Sequence, residues 1–223
     1  QQIVDELEGY QKIIDGCRQV VENYKPTIEI DPSWELKELK TLCSINASSG
    51  EPKDLFDETF IYLDISSVES LTGKIDFSNK LSTKDYPSRA RRIIQRNDIL
   101  MSSVRPNLKS FGYVDFEVKN HIASTGFMVL SSNEELLNSR FLYFLLFTDF
   151  LQSQMVSKMG KGQYPSINAT DTSQLLIPVP PIEVQNHIAK LMQKERVIVE
   201  GNNELIQIFT QKIQDRISKV WGE

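Results

Sequence analysis

Seven residues near the start of the chain, Ile3, Leu7, Tyr10, Ile14, Cys17, Val21 and Tyr24, follow one another at alternating steps of four and three. A repeat of 3.5 residues keeps an apolar seam turned toward a partner helix, whereas the face of an ordinary amphipathic helix repeats at 3.6. The spacing predicts a helix with a helix–helix seam, ended by Pro26, because the residue before a proline is driven out of the helical region. A helix packed only on its own domain is the plainer alternative.

The far end of the chain carries a second long helical pattern. Pro180 and Pro181 open it, and proline suits a first helical turn. Its apolar stripe runs through Ile188, Leu191, Ile198, Leu205, Phe209, Ile213, Ile217 and Val220. Gly201, Asn202 and Asn203 weaken its middle, and the steps slip after Phe209. A helix of about 40 residues reaches roughly 60 Å, more than one small domain can cover. The two end helices are therefore expected to pack on each other, with Ile3, Leu7, Tyr10, Ile14, Val21, Ile198, Leu205 and Phe209 as the seam toward each other or toward a partner.

The middle reads differently. The runs 60–65 (FIYLDI), 98–104 (DILMSSV), 109–116 (KSFGYVDF), 123–130 (ASTGFMVL) and 175–179 are rich in β-branched and aromatic residues and are bounded by turn formers, which predicts strands. The run from 138 to about 159 reads as one buried helix stopped by Gly160. The fold class expected is α+β, a strand-rich domain flanked by two long helices in an antiparallel coiled coil.

Composition excludes several classes. No apolar run approaches the roughly 18 residues needed to span a bilayer. Two cysteines and two histidines, far apart, give neither a disulfide framework nor a zinc set, so no metal is expected and a reducing cytoplasm is. The chain starts without methionine inside a helical pattern, which suggests a piece of a longer polypeptide. The net charge of −5 hides a segregated distribution. Residues 84–111 hold seven bases, Lys84, Arg89, Arg91, Arg92, Arg96, Arg105 and Lys109, against Asp85 and Asp98. Charges further apart than a Debye length of about 8–10 Å are screened, so a local basic patch can hold phosphate on an acidic protein.

Catalytic motifs are missing. The glycine-flanked stretch GKGQYPSIN (160–168) follows a helix, where the dipole is negative, instead of preceding one as a phosphate loop must. No Asn/Asp-Pro-Pro-aromatic loop is present to hold a flipped adenine. Asp98 with Glu117 and Lys119 could form a divalent-metal nuclease site only if distant ligands converged. The chain reads as non-catalytic and without a cofactor.

The basic run is the better lead. Arginine and asparagine read guanine and adenine bidentately in the major groove, and lysine binds phosphate. Arg105 and Asn107, in a tight turn between two strands, are the candidate base readers. Arg89, Arg91, Arg92 and Lys109 are candidate phosphate contacts. Lys161, Gln163 and Tyr164 form a candidate second contact loop, with a structural turn that buries Tyr164 as the alternative.

These residues resemble a family. The stretch LLIPVPPIEVQNHIAKLM (175–192) is similar to the strand-to-helix junction of type I restriction–modification DNA-specificity subunits, in which Ile177, Pro178, Pro180, Pro181, Gln185 and Ile188 match an I-P-x-P-P-x-x-x-Q-x-x-I pattern. The run ARRIIQRNDILMSSVRPNLKSFGYV (90–114) resembles the family's central strand pair, followed by STGFMVL (124–130). YQKIIDGCRQVVENYKP (10–26) and the terminal VWGE resemble its conserved helices. The resemblance implies a helix over 1–30, a target-recognition domain over 31–180 and a second conserved helix over 181–223. It implies double-stranded DNA as ligand, with methyltransferase and restriction subunits as partners and no catalysis in the chain itself. A full subunit carries two recognition domains and this chain one, so a half-subunit pairing with itself through its helices is a further expectation. A helical scaffold without DNA binding, and the metal nuclease, remain the rival readings.

Overall fold

The computed structural model describes residues 2–160 and 165–221. It divides into two compact units, one formed by the residues up to Thr27 together with those from Lys190 on, the other by Ile28–Ala189.

In the first unit, helix α1 (Gln2–Asn23) lies beside the distal part of a 40-residue helix, α6 (Ile182–Trp221). Three contacts set the direction. Arg216 lies 3.1 Å from the Glu6 carboxylate, the Tyr10 and Phe209 rings are 5.3 Å apart, and the Tyr24 hydroxyl donates to Glu195 at 3.2 Å. Numbers rise along one helix as they fall along the other, so the pair is antiparallel. Ile14 and Cys17 are buried, and Leu7, Tyr10, Val21 and Tyr24 half-buried, so six of the seven predicted seam residues of α1 are shielded; Ile3 is exposed.

The inner row of α6 differs from the expected stripe. Met192 is buried, and Arg196, Val199, Asn203, Ile206, Phe209, Ile213 and Arg216 are half-buried, whereas Ile198 is 61% and Leu205 41% exposed. Two arginines, whose aliphatic stems cover apolar surface while their heads reach water, hold inward positions that a search for apolar letters passes over. Gly201, Asn202 and Asn203 do not interrupt the helix; the Asn202 amide donates to the Ile198 carbonyl at 2.8 Å.

The second unit is built from three sheets. Strand β1 (Glu35–Glu38) pairs antiparallel with β10 (Leu176–Val179), Glu35 opposite Val179. Strands β2 (Cys43–Ile45), β9 (Phe127–Ser132), β6 (Ile99–Ser102) and β7 (Phe111–Tyr113) form an antiparallel sheet in that order. Strands β4 (Lys80–Ser82), β3 (Thr59–Leu63), β8 (His121–Ser124) and β5 (Ala90–Arg92) form the third, with β3 and β8 parallel. Every residue of β6 is buried, as a strand covered on both faces requires. One core cluster gathers Leu63, Val68, Ile94, Leu100, Val114, Ala123, Phe127 and Val129.

Two expectations are corrected. The segment 123–130 is two strands, β8 and β9, because Thr125 and Gly126 turn between them. The segment 138–159 is likewise two helices, α3 (Ser139–Leu145) and α4 (Asp149–Lys158). The break lies at Thr148, whose side chain caps the N-terminus of α4 and also donates to the Leu145 carbonyl at 2.6 Å. The carbonyls freed at the end of α3 find side-chain donors, Gln152 on Leu146 at 2.7 Å and Lys109 on Phe147 at 2.9 Å. Gly160 does not act as a left-handed stop. Met159 ends α4 in an extended conformation, and Gly73 is the one glycine with positive φ among the described residues.

Short helices α2 (Pro52–Leu55) and α5 (Ala169–Ser173) complete the unit. The proline junction is structural. Gln185 is buried, donates to the Pro180 and Leu136 carbonyls at 2.9 and 3.1 Å, and accepts from the Asn138 N–H at 2.8 Å. No helix among the described residues is long and apolar enough to cross a membrane.

Candidate nucleic-acid interface

The connection between β6 and β7 holds the most specific candidates. Pro106 starts a single 3-10 turn, Pro106–Leu108, and is itself buried. Arg105 and Lys109, on either side of it, both adopt left-handed backbone, φ 47° and 58°. Each such residue without glycine costs of order 1 kcal/mol or more, so surrounding structure must impose it. The tethers are visible. The Arg105 N–H donates to the Pro165 carbonyl at 2.8 Å, and the Ile167 N–H to the Ser103 carbonyl at 2.9 Å. The Ser103 hydroxyl donates to the Gly126 carbonyl at 2.7 Å. The Lys109 ammonium, half-buried, donates to Phe147 at 2.9 Å. Arg105 and Asn107 remain exposed at the tip.

Backbone bonds extend this edge. The Ser103 N–H donates to Gly126 at 2.9 Å, and the neighbouring Thr125 N–H donates to the Arg89 carbonyl at 2.9 Å. Arg89 is exposed and has no side-chain partner among the described residues. The structure thus brings Arg89, Arg105, Asn107 and the flank of the 160–168 loop onto one edge. Lys161, Gln163 and Tyr164 lie outside the described residues; Pro165, Ser166 and Ile167 beside them are the part stitched to the turn.

The remaining bases divide. Arg91 is paired with Glu51 at 2.5 Å, with Lys53 on the same carboxylate at 2.9 Å and the Tyr86 hydroxyl at 3.2 Å. Hydrogen bonds from Arg91 and then Lys53 pull the Glu51 carboxyl down to about 2. Arg92 is half-buried and donates to the Ser49 hydroxyl at 3.2 Å, and burial lowers its pKa. Arg96 is exposed three residues before β6 begins, whereas Arg105 follows its end, so the seven bases do not form one patch. A shallow cavity of about 430 Å³ lined by Tyr62, Asp64, Asn79, Leu81, Asp85, Tyr86 and Pro87 carries two carboxylates and no base, the wrong chemistry for phosphate.

Asp98 serves the fold. It is 2% exposed, accepts from the Ser131 hydroxyl at 2.6 Å and the Gln95 N–H at 2.8 Å, and burial raises its pKa. Glu117 and Lys119 pair with each other at 3.2 Å in solvent. No group of three or more His, Cys, Asp or Glu side chains among the described residues could hold a metal ion. Three features of the edge were not foreseen: the Thr125–Gly126 turn, Ser103, and a loop around Leu71 and Gly73. The TG pair at 72–73 was the available turn signal.

The edge is framed by strands and exposes Arg105 and Asn107, residue types able to pair bidentately with base edges, on a turn held by main-chain bonds. Residues 32–207 match the family model for the type I restriction modification DNA specificity domain, and the chain belongs to that family. It is 27% identical over 170 residues to the type I restriction enzyme HindI specificity subunit of Haemophilus influenzae, covering 75% of this chain and 34% of that protein. It is 26% identical over 211 residues to the putative MjaX specificity subunit of Methanocaldococcus jannaschii, covering 90% and 48%. Among solved structures, the HsdS subunit from Thermoanaerobacter tengcongensis is similar with a TM-score of 0.65 and 33% identity over 77% of this chain and 45% of that one. A chain from a study of complex assembly and conformational transition of the type I R-M system is similar with a TM-score of 0.67 and 30% identity, covering 87% and 51%. The chain thus spans between a third and a half of the curated relatives it matches. Family membership favours DNA specificity over the scaffold and nuclease readings.

Proposed function

We propose that this chain is a DNA-reading component of a type I restriction–modification specificity subunit, recognising one part of a split double-stranded site. The backbone-stitched edge that presents Arg105 and Asn107 beside the 160–168 loop carries this reading. Arg105 and Asn107 read bases, and Arg89 contacts phosphate. Arg91 and Arg92 add positive potential behind that edge, and Lys161, Gln163 and Tyr164 supply a second contact loop. The recognition domain occupies 31–180, between conserved helices at 1–30 and 181–223.

The component is non-catalytic and acts in the cytoplasm by directing methyltransferase and restriction subunits. The exposed Ile198 and Leu205, with Ile3 on α1, support a partner surface on the helix pair, for the methyltransferase subunit or a second copy of the chain. Similarity to a chain studied in the assembly of the type I R-M system accords with a role inside a larger complex.

Binding to a randomised duplex pool as a function of salt is the test. Each neutralised phosphate adds about −0.9 to the log–log slope, so a slope of several units is expected and a flat one ends the DNA reading.

A further inference from the structure

We infer that Leu71 and Leu108 form an apolar reading tip that meets thymine methyl groups in the DNA groove. The inference rests on the DNA-binding reading above. Leu71 is the most exposed large apolar side chain among the described residues, at 69%, and Leu108 is 51% exposed. The Leu71 N–H donates to the Lys109 carbonyl at 3.2 Å, which sets it beside Leu108 and the turn that carries Arg105 and Asn107.

Leu71 is left-handed, φ 69°, a conformation that a leucine rarely adopts. The loop that imposes it is seated on the core. Gly73, φ +65°, lies so close that a Cβ would collide with the Tyr143 hydroxyl and the Phe111 carbonyl. The Gly73 N–H returns to the Glu69 carbonyl at 2.9 Å, and the Glu69 carboxylate is taken up by the Thr72 hydroxyl at 2.6 Å. A strained leucine on a rigid loop exposes apolar surface at no gain in packing. The thymine C5-methyl is the base group that apolar side chains recognise in the major groove, and the adjacent bases favour a polyanion.

The test uses the whole chain and the duplex that it selects from a randomised pool. Leu71→Gly removes the side chain but suits the positive φ, so it melts close to the wild type. It and Leu108→Ser should each lower affinity for the selected duplex by about tenfold, the scale of one buried leucine, with the salt slope unchanged. Uracil in place of thymine should weaken the wild type about fourfold per contacted methyl, and should weaken Leu71→Gly and Leu108→Ser each by less, since each variant has already lost the contact of one leucine. Wild-type affinity in both variants, or a wild type indifferent to the missing methyls, overturns the inference while leaving DNA binding intact. A wild type with no salt-dependent binding removes the DNA reading itself.

Discussion

The backbone N–H of Arg105 donates to the carbonyl of Pro165 at 2.8 Å. This bond joins two loops that are sixty residues apart in the chain and places the candidate base reader against the flank of the second candidate contact loop.

Replacing Arg105 with alanine should cost about 1–3 kcal/mol in binding and relax preference at one base position. Selection from a randomised duplex pool with wild type and variant side by side measures both. A uniform loss across all sequences would make Arg105 a phosphate contact instead.

Lys109 tests a different role. Its ammonium already donates to Phe147, so Lys109→Met should lower folding stability by about 1–2 kcal/mol, read by urea denaturation, and leave the salt slope unchanged. A slope smaller by about 0.9 would place Lys109 on a phosphate.

Gly73→Ala should destabilise by about 2–4 kcal/mol, since it combines positive φ with a Cβ forced onto Tyr143 and Phe111. A melting curve within a degree of the wild type would contradict the seating of this loop.

Gln185→Leu should cost about 2–3 kcal/mol, because it leaves the half-buried Asn138 N–H and the buried Pro180 carbonyl without their partner. Thermal denaturation measures it, and restored stability in Gln185→Glu would argue against a need for the amide donor.

Acid should weaken the Arg91–Glu51–Lys53 cluster. The Glu51 carboxyl is depressed from 4.5 to about 2, so its contribution is present above 4.5 and is lost as pH falls toward 2. Urea denaturation across that window should show Glu51→Gln losing less stability than the wild type. Parallel pH profiles would remove the cluster from the acid response.

The architecture was legible where periodicity was strong. The seam of α1, the length of α6 and the strands built on FIYLDI and FGYVDF follow from apolar spacing. Strands β1 (ELKE) and β5 (ARR) were not, because their residues are polar and their pairing with β10 and β8 is long-range. The helix break at Thr148 was hidden by the apolar run around it, and capping by one threonine outweighed that continuity. At the candidate site, Pro106 announced the turn. The left-handed Leu71 did not, since only the fold sets it beside Leu108.

The bonds that hold the Arg105 turn to Pro165 and Gly126 use chiefly main-chain atoms, which are common to nearly every residue type. Side chains at 105, 107 and 108 can therefore be exchanged without undoing the frame that displays them. If Arg105 and Asn107 read bases as proposed, a surface built this way acquires a new preferred ligand sequence through a few substitutions while the scaffold beneath it stays as it is.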